Sequence, residues 1–412
     1  MKPTLILPIL VFLISCQQRT SSNLTSDNTI IKDSLTRELK RIYKQGYING
    51  FSVAIVNQNG TLYEKGFGYA DLKTQRSYTE NTIQNIASIS KTLIGISLLK
   101  AQEMGKLNLD DPINQYLPFM VRNPYYPNTP ITIRHLATHT STIVDTDYYL
   151  NKSYILKDEQ DSAEARSKEL SRNFNSPEAR ISLEEFLGRI LKEEGEWHKK
   201  EGFIDRSPGE LFEYTNIGAT LAALIIEKAT GETYSIFTEN YILKPLGMNS
   251  SGWSFQTTDF SNFSKLYAEP ETPIPHYSLI SYPDGGFITS ISDMGKYLTE
   301  LIKGYSGNGV LLSEESYSEL YREQLDSTHF KERNKENPYN DEYNFGIFIG
   351  FSAKGYVGHT GGDPGVASYM FFDINDKIGR VLITNTSLDD KEGEQEFFSV
   401  WDILEKYQGK LR

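Results

Sequence analysis

VASYMFFDINDKIGRVLITN, residues 366–385, decides the architecture. Two runs rich in β-branched and aromatic residues, Val366 to Asp373 and Arg380 to Asn385, flank the turn signal Asn375-Asp376. A link this short forces antiparallel neighbours, because a parallel crossover needs a dozen residues or more. Upstream, Asn344 to Phe351 and Gly355 to His359 read as further short strands, with Gly361-Gly362 as the next turn signal. Near the other end of the chain, Phe51 to Val56 and Leu62 to Tyr69 form a hairpin through Asn59-Gly60. Helical spacing predicts an opening helix on Leu35, Leu39, Ile42 and Tyr43, and a closing one with Phe397, Val400, Trp401 and Leu404 on one face. The simplest assembly is an α/β (α+β) fold: one antiparallel sheet made from both chain ends and covered by the terminal helices.

Between the ends the period becomes helical. Ile89 to Leu99 is an apolar helical run closed by Gly105. Residues 110–180 are rich in proline, asparagine and charge, which predicts long loops and short helices; the acid-rich stretch Lys157 to Arg180 reads as a solvated face or lid. Ser182 and Glu185 form a capping box for a helix with Leu183, Phe186, Leu187, Ile190 and Leu191 on its face. Gly218 to Lys228 is a buried-type helix ending at Gly231, while Asp293 to Lys303 and Glu314 to Glu323 read as surface helices. These readings give a sheet domain of residues 31–90 and 251–412, with a helical lobe, 91–250, inserted into it.

The 412 residues can bury a sizeable core without staples. One cysteine, Cys16, excludes an internal disulfide and any cysteine-based metal centre. The net charge of −12, without a basic block, excludes a nucleic-acid binder. Lys2, the apolar run Leu5 to Ile14 and Ser15-Cys16 read as a secretory signal, residues 1–15, too short for an ordinary membrane span. Residues 16–30 are rich in serine, threonine, asparagine and glutamine and read as a flexible tether. The segment Leu13-Ile14-Ser15-Cys16 resembles the lipobox of bacterial lipoproteins. That resemblance implies lipidation at Cys16 and an exported, lipid-anchored cell-envelope protein, outer-membrane or periplasm-facing if the host has two membranes.

Three short motifs carry chemistry, each with a plainer alternative. Ser88-Ile89-Ser90-Lys91 places Ser88 and Lys91 one helical turn apart, where a buried neutral amine could take the serine proton. Equally, Ser88 or Ser90 could cap the helix while Lys91 snorkels to water. Tyr214-Thr215-Asn216 could present a phenol as proton shuttle and an amide for a substrate amide, or an aromatic packed on a loop with Asn216 as helix cap. His359-Thr360-Gly361-Gly362 ends a predicted strand with two residues that let a ligand approach the backbone. There the Gly362 N–H, with that of Ser88, could form the donor pair an oxyanion needs, unless the glycines simply make a turn. His135 and His139, four apart, could face one metal, but no third ligand at suitable spacing accompanies them.

In order and spacing, Ser88-x-x-Lys91, Tyr214-x-Asn216 and His359-Thr360-Gly361 resemble the serine beta-lactamase and penicillin-binding-protein-like hydrolases. The subgroup is that of class C beta-lactamases, D-alanyl-D-alanine carboxypeptidases and related esterases and D-aminopeptidases. Pro208-Gly209, Lys244-Pro245-Leu246-Gly247-Met248, Gly285-Gly286 with Asp293, and His139-Thr140-Ser141 agree. Two departures stand out: Thr142 replaces the glycine that usually follows His-Thr-Ser, and the third motif opens with histidine where class C enzymes carry lysine. The resemblance implies a beta-lactamase/transpeptidase-like fold and needs no metal or organic cofactor. It makes Ser88 the nucleophile, Lys91 its general base and Tyr214 the proton relay. Asn216 would hold the substrate amide, His359 and Thr360 would line the carboxylate side, and Gly361 and Gly362 would form the open strand edge. The expected enzyme is a monomer that hydrolyses D-amino-acid peptides or amides through an acyl-enzyme; the alternatives are a carboxylesterase, a class C-like beta-lactamase and an inactive envelope-binding protein.

Overall fold

The computed structural model describes residues 15–158, 174–330, 346–351 and 355–411. The apolar signal segment up to Ile14, most of the acid-rich stretch after Lys157, and Asn344 lie outside the described residues. Seven strands form the main sheet: β1 (Gly50–Asn57), β2 (Gly60–Asp71), β3 (Arg76–Ser77), β4 (Gly350–Phe351), β5 (Tyr356–Asp363), β6 (Val366–Asp373) and β7 (Ile378–Thr384). Their order is β4-β5-β6-β7-β1-β2-β3, so the C-terminal strands join the N-terminal hairpin through β7 and β1. Every neighbouring pair is antiparallel, as the short connections require.

The strand period of two divides β1 between two cores. Phe51, Val53 and Ile55 face the terminal helices α1 (Ser15–Tyr43) and α7 (Lys391–Gln408), meeting Leu35, Leu39, Phe397, Val400, Trp401 and Leu404. Ala54 and Val56 face the opposite layer, which contains α2 (Lys91–Glu103), α3 (Leu183–Leu191), α4 (Asn216–Thr230), α5 (Ile291–Tyr305) and α6 (Glu314–Tyr321). Each fully buried leucine or isoleucine here contributes about 1.5–3 kcal/mol. The second core runs without a break from the sheet into α2, α3 and α4.

Five local expectations change. Helix α1 begins at Ser15, so most of the segment read as a tether is helical; no proline or glycine between Ser15 and Tyr43 stops it. Helix α5 is no surface helix: Met294, Tyr297, Leu298 and Ile302 are wholly buried, because it lies directly on β1 and β7. The expected turn at Gly361-Gly362 lies inside β5, and the chain reverses at Pro364-Gly365, where Gly365 takes φ 73°. The strand read over residues 344–351 shrinks to Gly350–Phe351; before it, the main chain turns aside, Phe348 N–H donating to the Ala137 carbonyl at 2.9 Å. The capping box at α3 is half made: Ser182 Oγ accepts from Glu185 N–H at 3.1 Å, but the Glu185 carboxylate pairs with Arg189 at 2.6 Å.

Three placements bring the chemistry together. A short ladder pairs Ile83–Asn85 with Ile288–Ser290 and delivers the chain to a tight turn, Ala87–Ser90, at the head of α2. The β5 edge lies against that turn. The N-terminal half of α4 and the one-turn helix Tyr282–Gly285 pack against α2.

Candidate active site

Ala87, just before Ser88, has φ 50°, a left-handed conformation that an alanine adopts only where its surroundings hold it. The holding bonds are visible. Ser90 Oγ donates to the Ala87 carbonyl at 2.6 Å and accepts from Phe287 N–H at 3.2 Å, and Ile86 N–H donates to the Phe287 carbonyl at 3.0 Å. Ser88 is left half-buried, while Ser90 is wholly inside. Ser90 is therefore the structural serine of the pair, and it pins the turn without capping the helix.

Lys91 does not snorkel: it is completely buried. Its Nζ donates to Ser88 Oγ at 2.9 Å, to Asn216 Oδ1 at 2.7 Å and to the Asp284 carbonyl at 2.7 Å. It also stands 5.1 Å from the centre of the Tyr214 ring. A serine hydroxyl in contact with a buried, three-way-held amine is the geometry of an activated nucleophile.

Asn216 is fixed from both ends. Its Oδ1 faces Lys91, and its Nδ2 donates to Asp145 Oδ2 at 2.7 Å, which leaves the second amide N–H for a ligand. Asp145 also accepts from the main-chain N–H of Asn216 at 2.9 Å, that of Ile217 at 2.9 Å and Thr215 Oγ1 at 3.0 Å. It thus satisfies the first donors of α4 and meets the positive end of that helix. Tyr214 precedes the helix, its ring 4.5 Å from His139 and 6.2 Å from His359. His139 Nδ1 accepts from Thr215 N–H at 3.2 Å, so its proton sits on Nε2; burial, with Lys91 nearby, holds its pKa well below the usual histidine value. His135 is occupied elsewhere, its Nδ1 accepting from Thr132 N–H at 3.2 Å in a helix cap. The two histidines weighed as a metal pair serve different local structures.

On the other side of the cleft, the two-residue turn makes Asp363 and Val366 a hydrogen-bonded pair. One position back, Gly362 therefore directs its N–H away from β6. A Cβ on Gly362 would meet nothing, and the residue is exposed. A Cβ on Gly361 would lie 2.4 Å from the Ile86 carbonyl oxygen and 3.2 Å from the Ala87 Cβ. His359 is buried on the Gly361 face, with Nδ1 donating to the Thr360 carbonyl at 2.6 Å. Thr360 and Gly362 pair with Tyr369 and Ala367, which face the terminal helices, so the Thr360 side chain lies on the opposite face of β5 from His359. Thr142, at the position where glycine was expected, holds φ 70°, and its Oγ1 accepts from Asn123 Nδ2 at 2.9 Å. The loop keeps the left-handed turn that a glycine would favour.

Gly361 supplies a test of the cleft. Gly361→Ala is expected to force β5 away from the Ser88 turn. The overpacking costs about 1–3 kcal/mol. Displacing the Gly362 N–H by about 1 Å would slow any acylation of Ser88 roughly 100-fold. A labelling rate equal to that of the unaltered protein would show that the strand edge takes no part in placing the acyl group.

The structure thus joins Ser88, Lys91, Tyr214 and Asn216 on one side of the cleft, with His359, Gly361 and Gly362 on β5 opposite. Sequence reading missed Asp145 and Asp284. Asp145 lies in a loop and Asp284 in a one-turn helix, both outside the three motifs, and nothing local marks either as more than a loop or turn acid.

The class is now defined by comparison as well as by geometry. Residues 35–405 match the family model described as Beta-lactamase, and the chain belongs to that family. The protein is 26% identical over 282 residues to Protein flp of Staphylococcus aureus (strain N315), across 67% of this chain and 49% of that one. The chain thus spans about half the length of the flp relatives it matches. It is 26% identical over 357 residues to Penicillin-binding protein 4* of Bacillus subtilis (strain 168), across 81% of this chain and 67% of that one. The fold superimposes on that of the D-amino acid amidase from Ochrobactrum anthropi SV3 with a TM-score of 0.65 and 18% identity, covering 90% of this chain and 99% of that one.

Proposed function

We propose that this protein is a serine hydrolase that works through an acyl-enzyme on Ser88, with D-amino-acid peptides or amides as its substrates. The observation that carries the mechanism is the 2.9 Å contact between Ser88 Oγ and the buried Lys91 amine. In the reaction Ser88 Oγ attacks the carbonyl carbon and gives up its proton to the Lys91–Tyr214 pair. The carbonyl oxygen, now negative, is held by the N–H groups of Gly362 and Ser88. As the tetrahedral species collapses, the C–N bond breaks and the proton returns to the leaving amine through Tyr214. Water then hydrolyses the ester on Ser88, with the same groups acting in reverse. The free Asn216 N–H fits a substrate amide oxygen, and the extended β5 edge suits a peptide laid alongside it. Esters and beta-lactams would use the same acyl chemistry.

The substrate class is tested by comparing kcat/KM for D-alanyl-D-alanine-ended peptides, D-amino-acid amides, their L-counterparts, simple esters and nitrocefin. The reading expects the D-peptides or D-amides to lead. Turnover confined to esters or to nitrocefin would replace it. The same proposal extends to the whole chain: a monomer exported on its signal and held at a membrane by lipid on Cys16. Mass spectrometry of the native N-terminus checks this, and an unmodified terminus starting elsewhere removes the anchor.

A further inference from the structure

Behind Lys91 lies an acid that the acyl-transfer steps above leave unused. Asp284 sits in the one-turn helix Tyr282–Gly285, is 2% exposed, and accepts the Lys91 amine on its main-chain carbonyl. Its carboxyl does something else: Oδ2 accepts from Tyr149 Oη at 2.8 Å and from Thr220 Oγ1 at 2.7 Å. Tyr149 belongs to the short helix Asp147–Lys152 just after Asp145, and Thr220 lies on α4, one turn beyond Asn216. The acid therefore ties α4, which carries Lys91's partner Asn216, to the short helix that follows Asp145, the residue that holds that asparagine.

We propose that Asp284 is a positioning residue for acyl transfer: its carbonyl fixes the Lys91 amine, and its buried carboxylate sets the charge state of that amine. This rests on the acyl-enzyme reading of Ser88. A packing role alone does not explain a carboxyl here. Burying an acid is costly, and an amide would accept the same hydroxyl hydrogen bonds without a charge. Burial pushes the Asp284 carboxyl up to about 6, opposed by the Lys91 charge and by the two hydroxyl donors. The groups facing it are Lys91 from α2, Asp145 and Tyr149 from the segment beside it, and Glu227 of α4 behind Tyr282. Tyr149 is pushed well above the usual phenol range by burial and by Asp284, so it stays a donor throughout.

The signs follow. Above about pH 6 the carboxylate is charged, which stabilises the ammonium form of Lys91 and makes its amine, once neutral, a stronger base. Removing the charge should let the amine lose its proton at lower pH but accept the Ser88 proton less avidly. Asp284→Asn is therefore expected to shift the acid limb of Ser88 acylation by fluorophosphonate downward by about one pH unit. Its plateau at high pH should fall several-fold. Tyr149→Phe, which withdraws one donor from the carboxylate, should shift the limb the same way by less. An independent readout is stability. The folded state binds the Asp284 proton more tightly than the unfolded chain, so the contribution of this group to stability falls as pH rises from about 4 to 6. Relative to wild type, the Tm of Asp284→Asn should therefore be higher at pH 7.5 than at pH 5. If the wild type labels on Ser88 while folded Asp284→Asn and Tyr149→Phe give its pH profile unchanged, the positioning role is overturned. If Ser88 is not labelled in the wild type at any pH, the acyl-enzyme reading falls instead, and the Tm comparison still reports whether a charge is buried at Asp284.

Discussion

Ser88→Ala is expected to abolish covalent labelling by a fluorescent penicillin or a fluorophosphonate and to lower kcat/KM by about 10⁴-fold or more. The loss should be nearly pure chemistry. Ser88 is half-buried, and the partner its hydroxyl would leave is Lys91 Nζ at 2.9 Å. That amine keeps two other acceptors, Asn216 Oδ1 and the Asp284 carbonyl. The turn itself is held by Ser90, so Tm should move little. Lys91→Ala behaves differently. The serine remains but has no base in contact, so acylation should slow by about 10²–10⁴-fold without vanishing. Two buried acceptors are also left unpaired, at about 1–3 kcal/mol each. Adduct mapping by peptide mass, with Tm beside it, distinguishes the two variants. An adduct that persists in Ser88→Ala, or sits on another residue, would remove Ser88 as nucleophile. Acylation of Lys91→Ala at the wild-type rate would remove the lysine as base.

Legibility in the sequence followed the range of the forces involved. The sheet was readable because short links dictate antiparallel pairing and because Asn59-Gly60 marks the hairpin that joins its first two strands. The contact between Ser88 and Lys91 was readable because a one-turn spacing is local. Helix α5 was misread because its burial depends on β1 and β7, more than 200 residues away on one side and more than 70 on the other, and its charged residues cluster where its pattern mimics an exposed face. The extent of β5 was hidden because two glycines usually signal a turn; here the absence of a Cβ at Gly361 lets the strand pass within reach of the Ile86 carbonyl. Asp284 and Asp145 were invisible for a related reason. Each gains its role from partners 64 to 193 residues distant: Thr220 and Lys91 for the first, Asn216 and Ile217 for the second.

Asp145→Ala is expected to cost about 1–3 kcal/mol of stability and to lower acylation by about 100-fold in whatever fraction remains folded. The carboxylate accepts from the Asn216 and Ile217 N–H groups, which are among the four donors that no helical turn of α4 can satisfy. Thr215 Oγ1 already serves Gly218 N–H at 3.2 Å, so it cannot replace the acid. The loss also reaches the site. Without the 2.7 Å bond from its Nδ2, the Asn216 amide is free to rotate, and Lys91 then loses an acceptor held in place at 2.7 Å. Asp145→Asn separates the two effects. It keeps an oxygen for the helix donors but removes charge and turns an amide N–H toward donors, so it should recover part of the Tm and little of the rate. Denaturant unfolding and the Ser88 labelling rate, measured on both variants, give the comparison. If Asp145→Ala unfolded at the wild-type midpoint and labelled at the wild-type rate, the acid would be a bystander at the helix end. The Lys91 amine would then be held by Ser88, Asp284 and an Asn216 amide that needs no anchor.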